Sequence, residues 1–158
     1  MNEDEVLSEF RSRGALLEGH FKLSSGRHSA HYLQCARVLM NAERAGLLAR
    51  AVAQKIPREI RNAIDLVVSP AMGGIIIGHE MGRALGKDAM FLERPDGEFH
   101  LRRGFALESG AKVLMVEDVV TTGLSSREAI AAVGREGGEV IAEASLVDRS
   151  AGEVDLGV

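Results

Sequence analysis

The sequence has 158 residues, the size of one domain at about 100–200 residues each, and is 46% apolar and 27% charged. That excludes a disordered, collagen-like or disulfide-stapled chain, and a net charge of −4 argues against a broad nucleic-acid-binding surface. The 19 basic residues are 15 Arg and 4 Lys, and 18 glycines accompany only six aromatics; guanidinium forks and close backbone approach both suit small anionic ligands.

Val6, Leu7 and Phe10 predict a short amphipathic helix over residues 3–13, stopped at Gly14. Phe21–Ser25 and His31–Val38 read as two short strands around a Ser-Gly-Arg-His-Ser turn. Asn41 is a suitable N-cap for a helix to about Gln54, with Leu47, Leu48 and Val52 on one face and Pro57 near its end. Ile64–Ser69 reads as a buried strand, Pro70–Gly74 as a loop, Ile75–Leu85 as a helix closed by Gly86, and Ala89–Glu93 as a strand. Arg94–Arg103 reads as an exposed hairpin or loop around Pro95-Asp96-Gly97. Lys112–Glu117 is a nearly all-apolar strand, as in a sheet covered on both faces. A helix over Leu124–Glu136, a Gly137-Gly138 turn and a strand over Glu139–Val147 complete the pattern. The alternation predicts an α/β fold, an open, mostly parallel sheet flanked by helices.

Cys35 is the only cysteine, so no intrachain disulfide or C-x-x-C motif exists, and a reducing cytoplasm fits best. The acidic start and the apolar runs near Ile75–Ile77 and Val113–Val116, far short of the ~20 residues a membrane helix needs, argue against a signal peptide and a membrane partner. His20 and His79 are expected to pack or cap, Met72 and Met81 to fill gaps, and Cys35 to be structural.

The chemistry concentrates in Val113–Ser126, Val-Leu-Met-Val-Glu-Asp-Val-Val-Thr-Thr-Gly-Leu-Ser-Ser. A buried strand ends in two carboxylates, Glu117 and Asp118, and a hydroxyl-rich loop with Gly123 then opens a helix. The helix N-terminus attracts phosphate, Gly123 lets it approach, and Thr121, Thr122, Ser125 and Ser126 add donors. The acids suit sugar hydroxyls or a hydrated Mg²⁺, so the segment calls for a ligand with both a phosphate and a ribose. Ser125-x-x-Glu128 also fits a capping box. No Walker A or G-x-G-x-x-G pattern is present.

Four hydrophobics, two acids, two hydrophobics and Thr-Thr-Gly closely resemble the PRPP-binding motif of the type I phosphoribosyltransferases. Gly19–Cys35 resembles the N-terminal hood of the orotate phosphoribosyltransferases, and Val147–Gly152 their downstream Asp-Arg segment, so the likeness runs in order from about residue 14 to 157. It implies the type I fold as one domain, with a small hood over roughly residues 1–40 plus the C-terminal part and a core over 41–147. It also implies conversion of orotate and PRPP into orotidine 5′-monophosphate and pyrophosphate, a step toward UMP, with Mg²⁺ carried by the substrate near Glu117 and Asp118 and no direct protein ligand. By position, Glu117, Asp118, Val119, Val120, Thr121, Thr122, Gly123, Leu124 and Ser125 would bind PRPP. Ala71, Met72, Gly73 and Gly74 would form the pyrophosphate loop, and Thr121, Arg149 and Tyr32 would meet orotate. Phe21 and Lys22 are further hood residues.

Arg94–Gly104 stands where the family has a mobile catalytic loop acting across a homodimer interface, which makes Arg94, Arg102 and Arg103 candidate catalytic cations beside Glu117 and Asp118, with His100 a weaker one. The chain departs from the family in lacking the Lys-x-His-Gly lid element, in Gly73 and Ser24 where many members have Lys, and in Leu124 after Thr-Thr-Gly. Members usually run some dozens of residues further than Val158. Two other functions fit the same motif: a PRPP-dependent enzyme for another base, and a non-catalytic PRPP- or nucleotide-binding regulator.

Overall fold

A computed structural model describes residues 1, 3–22, 28–150 and 152–158. The end of the expected Phe21–Ser25 strand, most of the Ser-Gly-Arg-His-Ser turn, Ser24 and the side chain of Lys22 lie outside the described residues. Helix α1 (Glu3–Ser12) precedes an antiparallel pair, β1 (Leu16–Lys22) and β2 (His28–Leu33), then α2 (Cys35–Leu39), α3 (Ala42–Lys55) and α4 (Arg58–Ala63). The remainder alternates as β3 (Leu66–Pro70), α5 (Gly74–Leu85), β4 (Asp88–Glu93), β5 (His100–Leu101), β6 (Lys112–Val120), α6 (Leu124–Arg135) and β7 (Glu139–Asp148).

The sheet order is β5-β4-β3-β6-β7; β3, β4, β6 and β7 run parallel, and only β5 is antiparallel. This is the α/β architecture that the alternation predicts. The chain winds from β3 outward to β4, then from β6 outward to β7, so the winding reverses between the adjacent central strands β3 and β6. In such sheets the crevice at the carboxyl ends, where the order reverses, is the ligand position. One face carries Val67, Leu114 and Val116 against Leu48, Ala49, Ile77 and Met81 of α3 and α5. The other carries Val68, Val113 and Met115 against Ala129, Ala132 and Val133 of α6.

Several elements depart from the sequence expectation. The expected strand over His31–Val38 ends at Leu33, because Cys35, Val38 and Leu39 recur at helical spacing and all three are buried. Pro57 does more than end α3: it stands at the N-cap of α4, where its fixed φ and missing N–H are tolerated. Leu47 is 48% exposed, and the buried face of α3 runs instead through Ala45, Leu48, Ala49 and Ala53. Met81 fills the core, but Met72 is 82% exposed, and His20 and His79 are also exposed. The Arg94–Arg103 segment is a hairpin, though not a wholly exposed one: Phe99 is buried against α6, whose Arg135 donates a hydrogen bond to the Phe99 carbonyl at 3.1 Å.

Asn41 caps α3 as expected, its Oδ1 accepting from the Arg44 N–H at 2.9 Å. Removing that acceptor leaves an orphan donor at the helix start, so Asn41→Ala should cost about 1 kcal/mol of stability, read as a lower urea midpoint with an unchanged slope.

Candidate active site

Strand β6 does not stop at its two acids but continues to Val120. Successive residues of a strand point to opposite faces, so Glu117 and Asp118 cannot share one environment. Glu117 turns toward α6 and is 5% exposed, and Ser126 Oγ donates to its Oε1 at 3.2 Å. Glu143 lies on the neighbouring strand, where β6 and β7 pair Met115 with Glu143 and Glu117 with Ser145. Burial, then the adjacent Asp118, push the Glu117 carboxyl up to about 7, with the Ser126 hydrogen bond opposing. Glu143 is also raised by burial, and its Oε1 is buried without a hydrogen-bond partner.

Asp118 turns the other way, toward the loop after β3. A Cβ on Gly73 would stand no farther than 2.8 Å from each of the three carboxyl atoms of Asp118, so only glycine fits that approach. Half-burial raises the Asp118 carboxyl, while the N–H groups of Val119 and of Asp118 itself hold it down. Beneath it, Cys35 Sγ lies 3.8 Å from the Asp118 carbonyl. Burial, and secondarily Asp118, push that thiol up to about 12, so it stays protonated and structural. The loop of Ala71, Met72, Gly73 and Gly74 thus faces Asp118 across the crevice, tied to β4 by Ala71 N–H to Leu92 O at 2.8 Å. Its Ala71–Met72 peptide is cis.

Beyond Val120 the chain turns through Thr121, Thr122 and Gly123 into α6. Gly123 has φ +70°, and a Cβ there would collide with Val154 and Leu156. Gly123 stands at the N-cap and has no side chain to cap with, while Thr122 Oγ1 accepts from the Leu124 N–H at 3.4 Å. Ser125 is already the second residue of α6, so the expected Ser125–Glu128 box is not formed, and Glu128 Oε2 accepts from Arg94 at 2.5 Å. The hydroxyl-bearing residues Thr121, Thr122 and Ser125 are exposed, and Ser126 is buried on Glu117. Arg127 braces the turn from behind, donating to Thr122 O at 2.8 Å and to Asp155 O at 3.0 Å. Arg94, Val119, Val120, Thr121, Thr122, Gly123, Leu124, Ser125, Ser126 and Glu128 enclose a cavity of about 410 Å³.

Val120 pairs with Asp148 and accepts from Arg149 N–H at 2.9 Å, so Thr121 and Arg149 leave two adjacent strands side by side. Tyr32 is 37% exposed on β2, with its ring against Phe21 at 5.6 Å between centroids. The three candidate lid arginines do not form one cluster. Arg103 and Arg102 approach Glu93 at 2.7 and 3.8 Å, and the Arg103 hydrogen bond holds the Glu93 carboxyl below its usual range. Arg94 alone lies at the cradle. The sequence reading missed Ser126 as the partner of Glu117, and Glu143 altogether; its signal was one acid in the apolar run Val140–Val147.

Comparison with known proteins places the chain in a family. Residues 38–156 match the family described as the phosphoribosyl transferase domain. The whole chain is 84% identical to the orotate phosphoribosyltransferase of Erythrobacter litoralis and 76% identical to that of Novosphingobium aromaticivorans, covering 82% and 81% of those proteins. Among solved structures, orotate phosphoribosyltransferase from Aeropyrum pernix superposes with a TM-score of 0.72 at 22% identity, over 92% of this chain and 94% of that one. Adenine phosphoribosyltransferases share the fold more distantly, one with a TM-score of 0.65 at 13% identity. The chain belongs to the phosphoribosyltransferase family, and within it to the orotate phosphoribosyltransferases.

Proposed function

We propose that the protein transfers the phosphoribosyl group of PRPP to orotate, giving orotidine 5′-monophosphate and pyrophosphate, as a cytoplasmic enzyme of pyrimidine synthesis. The observation that carries the reading is the crevice between β3 and β6, where a half-buried carboxylate faces a glycine loop beside an open, hydroxyl-rich helix N-terminus. The cradle at Thr121–Ser125 takes the 5′-phosphate, and the loop at Ala71–Gly74 takes the pyrophosphate. As the ribose C1–O bond breaks, positive charge grows on the sugar, and Asp118 faces it. Orotate N1 attacks C1 without a covalent enzyme intermediate.

Among the described residues no group of three or more His, Cys, Asp or Glu side chains could hold a metal ion. A single carboxylate, Asp118, faces the crevice while Glu117 is buried toward α6, and one carboxylate fits Mg²⁺ held chiefly by substrate oxygens and water near Asp118. When bound, the ion supplies neutralising charge to the pyrophosphate. No helix among the described residues is long and apolar enough to cross a membrane. Arg102 and Arg103 are the proposed lid cations, supplied across a homodimer and released from Glu93 when the lid closes.

Mixing the protein with orotate, PRPP and Mg²⁺ should consume orotate absorbance; no loss, with a base panel also inert, would point to the binding-only alternative. Arg149→Ala should raise the orotate KM about tenfold or more by removing a charge-assisted fork to the orotate carboxylate or ring carbonyls, while the PRPP KM moves little. An equal rise in both KM values would remove Arg149 from the orotate subsite.

A further inference from the structure

By resemblance Arg94 serves the leaving pyrophosphate from a mobile lid, but its surroundings suit a different oxyanion. It directly follows β4 and is held by two partners. Its guanidinium lies 3.9 Å from the centroid of the Phe99 ring. Phe99 is 4% exposed and is fastened to α6 through Arg135. Its own Nη2 donates to Glu128 Oε2, one turn into α6. Stacking on a buried ring sets the plane of the fork, and the solvent-exposed ion pair with Glu128 turns it toward α6.

Among the described residues Arg94 is also the only basic one lining the 410 Å³ cavity, whose remaining wall is the end of β6, the Thr121–Gly123 turn and the start of α6. A helix N-terminus with hydroxyls offers N–H and O–H donors but no full charge. A phosphate carrying nearly two negative charges is held better where a guanidinium joins them, and Arg matches phosphate oxygens bidentately. Glu128 occupies that fork now, as a carboxylate would when no stronger anion is present. It lies on the same cavity wall, so a phosphate entering the cradle meets Arg94 without moving the hairpin. Arg102 and Arg103, by contrast, are engaged with Glu93 rather than at this cavity.

Building on the proposed phosphoribosyl transfer, we propose that Arg94 binds the 5′-phosphate of PRPP within the same chain, with Glu128 as its resting counter-ion. Arg94 therefore belongs to the ribose-phosphate subsite and not to the pyrophosphate subsite.

Two probes separate these subsites: ribose 5-phosphate, which has the phosphate but no pyrophosphate, and inorganic pyrophosphate. Titration calorimetry of the full chain should show Arg94→Ala weakening ribose 5-phosphate about ten- to hundredfold while pyrophosphate binding stays within about twofold. Glu128→Gln, an exposed change that releases the fork from competition, should tighten ribose 5-phosphate severalfold and carries the test should Arg94→Ala fail to fold. Unchanged ribose 5-phosphate affinity in both variants, or a loss confined to pyrophosphate in Arg94→Ala, overturns the assignment. Turnover of orotate separates the two levels. Wild-type turnover with an Arg94-insensitive phosphate site sinks this inference alone, whereas an Arg94-dependent phosphate site in a protein inert toward orotate sinks the transfer reaction alone.

Discussion

Asp118→Asn should give a folded protein whose orotate turnover falls by roughly two to three orders of magnitude, the size of effect seen when one aimed electrostatic group is lost. The substitution keeps shape and volume, so Gly73 still has its close neighbour and the floor over Cys35 is undisturbed. What disappears is a negative charge facing the sugar as it becomes cationic. The same change relieves the cost of holding a carboxylate half-buried, which already raises Asp118 above its ordinary range. Thermal stability should therefore hold or rise slightly while kcat collapses. Steady-state kinetics beside a melting curve reads both, and a folded Asp118→Asn protein at near wild-type kcat would remove Asp118 from the reaction.

The second large effect concerns stability and pH. Glu117 has a folded pKa of about 7, against 4.5 for the free side chain, chiefly through burial. A raised carboxyl binds its proton more tightly in the folded state. Below about pH 4.5 both states are protonated and the group contributes no difference. As pH rises to 7 the unfolded chain ionises first, and stability falls across that window, levelling above it. The loss approaches about 3 kcal/mol if the whole shift is expressed. Asp118 and Glu143, both raised, add to the same slope. Glu117→Gln should remove the largest part of it, so urea unfolding at pH 5 and pH 8 should differ much less in the variant than in the wild type. An equal difference in both proteins would place the slope elsewhere.

The β6–turn–α6 segment was legible because its signals reinforce one another: an apolar run for a doubly covered strand, then acids, then hydroxyls around a glycine. The orientation of the acids was harder to read. Ending the strand at Glu117 hides the alternation that sends Glu117 inward and Asp118 into the crevice, and only the continuation to Val120 reveals it. Short helices were missed for a related reason. Five residues in α2 and six in α4 are too few to display a period, and tertiary burial decides them. The capping box does not form because α6 starts one residue before Ser125, with Gly123 at its N-cap, and Glu128 pairs instead with Arg94, thirty-four residues away in sequence. Long-range competition of this kind leaves no local trace, and it equally hid the division of the three arginines between Glu93 and Glu128.

The brace behind the phosphate turn bears on thermodynamics. Arg127 ties Thr122 to Asp155, while Val154 and Leu156 fill the space behind Gly123. Ordering a loop residue on ligand capture would forfeit about 1–2 kcal/mol of backbone entropy each. Here that ordering of the turn is already in place before any anion arrives, so phosphate capture should proceed with a small entropic penalty. The stiffness of the cradle is thus set by residues that never touch the ligand, and the 152–158 segment is as much a part of the site's binding free energy as the hydroxyls that face it.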